Sequence, residues 1–285
     1  MRLLVVFFLS LLISSCQHFK RPSEEILDKI YVVNLDRTPD RYLGAKENFE
    51  KASLKFTRFR ATDGYKINIS NKNTGKMLDA KSWWSACKQN KPNLKNPAYE
   101  VFCDEDKNNN IILSGCSTLG EVGCYCSMRR VWKDIIDNNY RYSLIFEDDT
   151  RINKRDLKTF KSQIKALIEN APLDWDVIYL HLHNRHDKLY PARKLHDKTE
   201  NDYVWGINRD PAYSLGSTIA YIVNRNFAEK MYVFSKNMKL PIDMQIADAI
   251  NKRIINGYKA KKQLVIVGAD SVIDNMGRNQ DGKLE

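Results

Sequence analysis

The chain has 285 residues, 43% of them hydrophobic, and a formal net charge of +11 at pH 7. That length and composition suit one sizeable globular core, with an appended lobe at most, and exclude a disordered or fibrous protein. The basic excess favours anionic partners such as lipid headgroups, nucleotide phosphates or acidic glycans. Nucleic acid is not expected, because Lys and Arg are spread along the chain and no helix-turn-helix, zinc-finger or RNA-binding signature is present.

The first residues form a separate unit. Arg2 precedes an apolar run, Leu3 to Ile13, broken only by Ser10. The run is short for a bilayer span and polar sequence follows it, so residues 1–15 read as a cleavable signal peptide. Ile13-Ser-Ser-Cys16 resembles a bacterial lipobox, in which cleavage leaves Cys16 as a lipidated N-terminus; an ordinary signal with an incidental Cys is the alternative. Gln17 in place of Asp then implies outer-membrane delivery. The expected organisation is a signal (1–15), a lipidated tether (16–28) and one domain (29–285), exported and membrane-anchored on the periplasmic side. Signal removal takes only Arg2 from the charged set, leaving +10 of the +11.

Ile30 to Leu35 is a continuous apolar run, as in a strand buried on both faces. Thr38 is a suitable N-cap with Pro39 at the first helical position, and Tyr42, Ala45, Phe49 and Ala52 recur at helical spacing. Leu54 to Arg60 reads as a strand leading to the turn signal Asp63-Gly64. This strand-helix-strand unit predicts a parallel α/β architecture. Periodicity is lost over residues 66–117, which hold Trp83-Trp84, two prolines and three cysteines. The segment is expected to be a disulfide-stapled insertion or lid. Five Cys follow Cys16, so at least one thiol stays free, and one or two disulfides are expected among Cys87, Cys103, Cys116 and Cys124. Thr118…Glu121 matches a capping box, after which Cys124, Met128, Val131 and Ile135 share a helix face. Further strands are expected at Arg141–Phe146, Trp175–His183, Tyr213–Val223 and Leu264–Val267. Helices are expected around Leu157–Leu167, after the cap Asn224, and from Pro241 to about Ile255.

The Arg141–Phe146 strand delivers Glu147-Asp148-Asp149 to its carboxyl end, where open α/β sheets place ligands. Strand alternation would put Glu147 and Asp149 on one face and Asp148 on the other. Such oxygens suit Mg²⁺ or Mn²⁺, and an ion there could bridge a diphosphate; a solvated acidic loop is the plain alternative. His181 and His183 could share a strand face, and Trp83-Trp84 could stack on a sugar or anchor the long loop.

The company of the acidic triplet narrows the choice. Val33-Asn34-Leu35-Asp36-Arg37-Thr38-Pro39-Asp40-Arg41, Phe59-Arg-Ala-Thr-Asp63-Gly64, Gly120-Glu-Val-Gly123-Cys124 with Ser127, Leu144-Ile-Phe-Glu-Asp-Asp149, Gly216-Ser-Thr-Ile-Ala220-Tyr221 and Pro241-Ile-Asp243 occur in this order. Together they resemble glycosyltransferase family 25, the lipooligosaccharide and procollagen galactosyltransferases. The resemblance implies a GT-A-like, Rossmann-type mixed sheet flanked by helices, with the Cys-containing insertion loop. It implies metal-dependent, inverting transfer of a hexose, galactose or glucose, from a UDP-sugar to a hydroxyl of a glycan or lipooligosaccharide. By the same resemblance Asn34, Arg37, Arg41, Asp63 and Asp148 bind the nucleotide sugar. Glu147 and Asp149 hold the metal, and Asp243 takes the acceptor proton. Arg37 and Arg41 suit phosphate because a guanidinium matches its oxygens in a fork. Arg41 could instead be a solvated helix-start residue, and Asp243 a helix cap. The chain departs from the family at Met128, where the pattern has His. That departure, and an exported site facing away from cytoplasmic nucleotide sugars, support the alternative of a degenerate lipoprotein that binds glycan or nucleotide without transfer.

Overall fold

The computed structural model describes residues 25–79, 82–83, 99–103, 110–113, 117–181, 202–207 and 217–268. The signal, Cys16, Trp84, Cys87, Cys116 and His183 lie outside the described residues. Among the described residues no helix is long and apolar enough to cross a membrane.

The main sheet has seven strands in the order β2 (Thr57–Arg60), β1 (Lys29–Asn34), β7 (Tyr142–Glu147), β11 (Ala220–Asn224), β9 (Val177–Tyr179), β13 (Gly257–Ala260) and β10 (Val204–Gly206). β1 runs parallel to β2 and β7, and β13 parallel to β9, whereas β11 lies antiparallel between β7 and β9. The continuous apolar runs have a direct cause. Tyr31, Val33, Ile145, Tyr179 and Tyr221 project into one hydrophobic core, and Val32, Leu144, Phe146, Ile178 and Ile222 into another on the opposite face. The central strands β1, β7, β9 and β11 therefore carry apolar residues on both faces, because both faces are covered.

Helix α1 (Pro39–Lys51) buries Ala45 and Phe49 on the second face, and Phe49 stacks on Phe146 at 4.5 Å. Helix α3 (Phe160–Asn170) packs on the same side through Phe160, Ile164 and Leu167. Helix α2 (Leu119–Asp137), α4 (Arg225–Phe234) and α5 (Ile242–Asn251) cover the first face. The expected capping box is present in α2: Glu121 N donates to Thr118 Oγ1 at 3.2 Å and Thr118 N to Glu121 Oε2 at 2.8 Å. Asn224 caps α4 by accepting from Phe227 N at 2.8 Å.

The described part of residues 66–117 is sheet, where sequence periodicity predicted none. β3 (Asn68–Asn71), β4 (Met77–Leu78), β5 (Tyr99–Phe102) and β6 (Asn110–Leu113) form a second sheet, completed by β12 (Asn237–Met238) from beyond α4. Its strands are two to four residues long, too short for a period to show. Trp83 is fully buried here, its Nε1 donating to Ser117 O at 3.2 Å, so it anchors the segment and is closed to sugar stacking. Among the described residues a disulfide joins Cys103 to Cys126 and Cys124 is free, so Cys103 bridges to a cysteine outside the four expected to pair. Residues two apart on a helix face different ways: Cys126 meets the second sheet, Cys124 the main sheet's carboxyl end. Further expectations shorten: the Leu54–Arg60 strand is Thr57–Arg60, and of the Tyr213–Val223 strand, whose first residues lie outside the described ones, Ala220–Asn224 is strand. The Trp175–His183 strand is confined to Val177–Tyr179, and α5 stops at Asn251 because the chain turns at Arg253 with φ 59°. A small ribbon of β8 (Thr150–Ile152) and β14 (Val265–Val267) closes the edge near α1.

Candidate functional site

β1 and β7 end side by side, so Asn34 and Glu147 leave the sheet together. Beyond Glu147 the chain turns, which removes the strict alternation expected of the acidic triplet. Asp148 and Asp149 consequently reach one cation: Arg41 Nη2 lies 2.6 Å from Asp148 Oδ1 and 3.0 Å from Asp149 Oδ2. Arg41 is therefore no solvated helix-start residue; its side chain is 16% exposed. Asp148 is tied further to the β1–α1 turn, accepting from Asn34 Nδ2 at 2.6 Å and from Thr38 Oγ1 at 3.4 Å. The Thr38 hydroxyl is thereby drawn away from helix capping and makes no capping bond to α1. Asn34 is held in turn by Arg58, whose Nε donates to its Oδ1 at 2.8 Å.

Glu147 points to a different set of groups. Its carboxylate accepts from Thr218 Oγ1 and lies beside Cys124, Asp149 and Asp243. Burial, then the charge of Asp149, pushes the Glu147 carboxyl up to about 8. Burial also raises Asp149, against the opposing pull of Arg41. The Cys124 thiol is raised well above its ordinary value by burial and then by Glu147, so it stays protonated and is no nucleophile. Asp243 sits in the first turn of α5, where its Oδ1 accepts from Met244 N at 2.8 Å. It is both a helix-start carboxylate and a charge felt by Glu147, Cys124 and Tyr179.

The opposite wall comes from the Asp63-Gly64 turn. Asp63 Oδ1 accepts from Tyr65 N at 3.1 Å and opens a short helical turn, Gly64–Lys66; its Oδ2 pairs with Arg37 Nε at 3.4 Å. Gly64 is required by close approach, since a Cβ there would meet Leu119 O at 1.7 Å. Gly123 is required for the same reason, a Cβ meeting Gly64 N at 2.7 Å. This contact seats the Arg37–Asp63–Tyr65 wall on α2. Between the walls lies a cavity of about 80 Å³ lined by Arg37, Arg41, Tyr65, Cys124, Met128 and Glu147, among others. Met128 is buried and receives the Tyr221 hydroxyl at 3.3 Å on its sulfur. His181 lies just past β9 with Nδ1 2.7 Å from Gln263 Nε2.

The structure thus brings Asn34, Arg41, Glu147, Asp148, Asp149 and Asp243 to one place, with Arg37 and Asp63 across the cavity. Sequence reasoning placed none of Thr38, Cys124 and Thr218 at the site. Each stood in a quoted motif, but only the approach of distant strands shows what it touches.

Among the described residues no group of three or more His, Cys, Asp or Glu side chains could by itself hold a metal ion. Two features nevertheless fit a hard cation. Asp149 Oδ1 is buried without a hydrogen-bond donor among the described residues, and Glu147 faces Asp149 with its carboxyl destabilised as an anion. Mg²⁺ is commonly held by one or two carboxylates, with substrate phosphates and water completing its shell.

A mixed sheet flanked by helices, with acids and arginines at the ends of its parallel strands, places the protein among α/β domains whose ligand site lies outside the strand ends. Residues 27–246 match the sequence model of glycosyltransferase family 25, described as an LPS biosynthesis protein, and the chain belongs to that family with a GT-A-like fold. It is 25% identical to human procollagen galactosyltransferase 2 over 244 residues, 84% of this chain and 33% of that protein. It is 29% identical to zebrafish (Danio rerio) procollagen galactosyltransferase 1 over 149 residues, 50% of this chain and 22% of that protein. It is also 29% identical to human inactive glycosyltransferase 25 family member 3 over 164 residues, 56% of this chain and 23% of the relative. The chain spans about a third of the length of the curated relatives it matches most extensively.

Proposed function

We propose that the protein transfers a hexose, galactose or glucose, from a UDP-sugar to a glycan hydroxyl, with inversion at the transferred sugar. The observation that carries this reading is the convergence of Glu147, Asp149 and Asp243 beside Arg41 at the carboxyl end of β7. Glu147 and Asp149 are the residues to hold a divalent ion, which supplies charge neutralisation for a leaving diphosphate. Arg41 lines the cavity while gripping Asp148 and Asp149, so its guanidinium is placed to meet a phosphate oxygen there. Arg37 lies across the cavity, 5.8 Å from the Tyr65 ring centroid, placed to meet the same anion from the other side. Asn34 and Asp148 hold the floor in register and offer polar edges to a ribose. Asp243 accepts the acceptor hydroxyl's proton. The cavity admits only part of a nucleotide sugar; the remainder lies outside it.

The N-terminal sequence supports the further reading that this is an exported lipoprotein anchored through Cys16, and a disulfide between Cys103 and Cys126 suits an oxidising compartment. A second reading has its own observations. Met128 occupies the cavity where the family pattern has His, and one relative carries an inactive label. On that reading the site binds nucleotide or glycan without transfer. Calorimetry with Mn²⁺ and UDP, followed by donor hydrolysis over a panel of UDP-sugars, separates the two. Binding lost in Glu147→Ala/Asp149→Ala together with hydrolysis supports transfer; binding without hydrolysis of any donor supports the second reading; no binding removes transfer and leaves only the glycan-binding form of the second reading.

A further inference from the structure

A second cavity lies far from these residues. It is a groove of about 760 Å³ between α1, α3 and the chain entering β1. Its floor is apolar: Ile26, Leu54, Phe56, Phe160 and Ile164. Its rim carries Lys46, Lys55, Lys161 and Lys165, whereas the Lys29 ammonium lies over Tyr31 and Tyr140 on the other face of the sheet. The carboxylates on the same rim offset these charges only in part. Glu50, Glu25 and Glu169 meet Lys46, Lys55 and Lys165 at 3.8, 3.6 and 3.7 Å, exposed contacts of little strength. Asp28 is occupied by the backbone N–H of Arg141 and Tyr142.

We propose that this groove docks on the anionic phospholipid surface of a membrane. The cations decide between occupants. All of them are Lys and none is Arg among the lining residues, whereas protein interfaces favour Arg and aromatics and are depleted in Lys. The lysines surround an apolar floor and do not converge on one point, which is wrong for a single phosphate. It is right for headgroups met by flexible ammonium groups while apolar side chains enter the acyl boundary. The groove also opens beside Glu25, nine residues after Cys16, the position that the lipobox resemblance would lipidate. The inference goes beyond the transferase reading and stands without it. It also sets an orientation. The groove is at the amino end of β1 and the candidate site at its carboxyl end, about 17 Å away at ~3.3 Å per residue, so docking turns the site away from the bilayer.

The test is acetylation of lysines in the full-length protein on lipid nanodiscs. Near an anionic surface each lysine gains about 1 kcal/mol, or about fivefold. Lys46, Lys161 and Lys165 should therefore react at least about fivefold more slowly on discs containing phosphatidylglycerol than on phosphatidylcholine alone. Lys133 and Lys252, on helices of the opposite face, should not change. High salt should erase the difference. Lys46→Glu/Lys161→Glu should restore the rate at Lys165 without altering the melting temperature. Equal rates on both lipids would overturn the proposal. So would slow reaction already in lipid-free detergent, which would mean that the chain's own N-terminal residues or a second copy cover the groove.

Discussion

Replacing Arg41 by Met tests the central contact of the site. Met keeps most of the aliphatic stem and removes the charge, leaving Asp148 and Asp149, 8% and 5% exposed, without the guanidinium that lies 2.6 and 3.0 Å away. Removing one partner of a buried pair costs about 3–5 kcal/mol. Asp148 retains its bonds from Asn34 and Thr38, so the lower end applies, about 3 kcal/mol. In a chain of this size that lowers the melting temperature by about 6–12 °C. Urea and thermal unfolding at neutral pH measure the loss. Because the cost comes from stranded charge, Arg41→Met/Asp149→Asn should be more stable than Arg41→Met alone by about 1 kcal/mol or more. The reasoning is refuted if Arg41→Met unfolds within about 0.5 kcal/mol of the parent, or if the double variant is simply additive.

Other consequences follow from contacts elsewhere. Gly64→Ala should destabilise by about 3 kcal/mol or more, since its Cβ would meet the Leu119 carbonyl at 1.7 Å and only movement of α2 relieves that; a melting temperature within about 2 °C of the parent would contradict it. Cys126→Ser should cost about 3 kcal/mol, because the disulfide to Cys103 spans 23 residues and restricts the unfolded chain, as denaturant unfolding of the two forms would show. Asp156 is buried, which raises its carboxyl, but hydrogen bonds from Lys262 and Gln163 and then the charges of Lys262 and Arg155 outweigh burial and hold it below the ordinary value. A folded-state value below the unfolded one means stability present above the ordinary aspartate range, about 3.9, and lost as pH falls beneath it. The stability gap between the parent and Asp156→Asn should therefore be full near neutrality and close in acid; a gap that widens in acid would show the sign to be wrong.

The raised Glu147 carboxyl has a bearing on how the site is kept. Its cost as an anion is relieved by a bound proton or by a nearby cation, and its neighbours Thr218 and Cys124 are neutral. Glu147→Gln is thus the substitution that separates stability from function. It removes the repulsion with Asp149 and should leave the fold at least as stable, while abolishing cation-dependent UDP binding. Loss of stability with binding retained would place Glu147 among structural residues.

The sequence by itself determined the features that neighbouring residues create. The apolar runs Ile30–Leu35 and Arg141–Phe146 became adjacent central strands, the Thr118–Glu121 box starts α2, and Asp63-Gly64 is a turn. Each rests on periodicity or on hydrogen bonds spanning a few residues. The ordered motifs likewise pointed to the family before any contact was known. Tertiary structure decided what the motif residues do to one another. Asn34 and Asp148 meet across 114 positions, and Glu147 and Thr218 across 71. Arg41, expected at a phosphate, is found holding two aspartates because the chain turns after Glu147 instead of continuing as a strand. Cys126 displaced Cys124 in the disulfide because helix geometry sends them to different neighbours. The second sheet is not legible in the sequence, since strands of two to four residues carry too few side chains to show a period, and its last strand arrives from beyond α4. Local order is encoded in adjacent residues, whereas charge neutralisation depends on which distant side chains the fold brings within about 3 Å of one another.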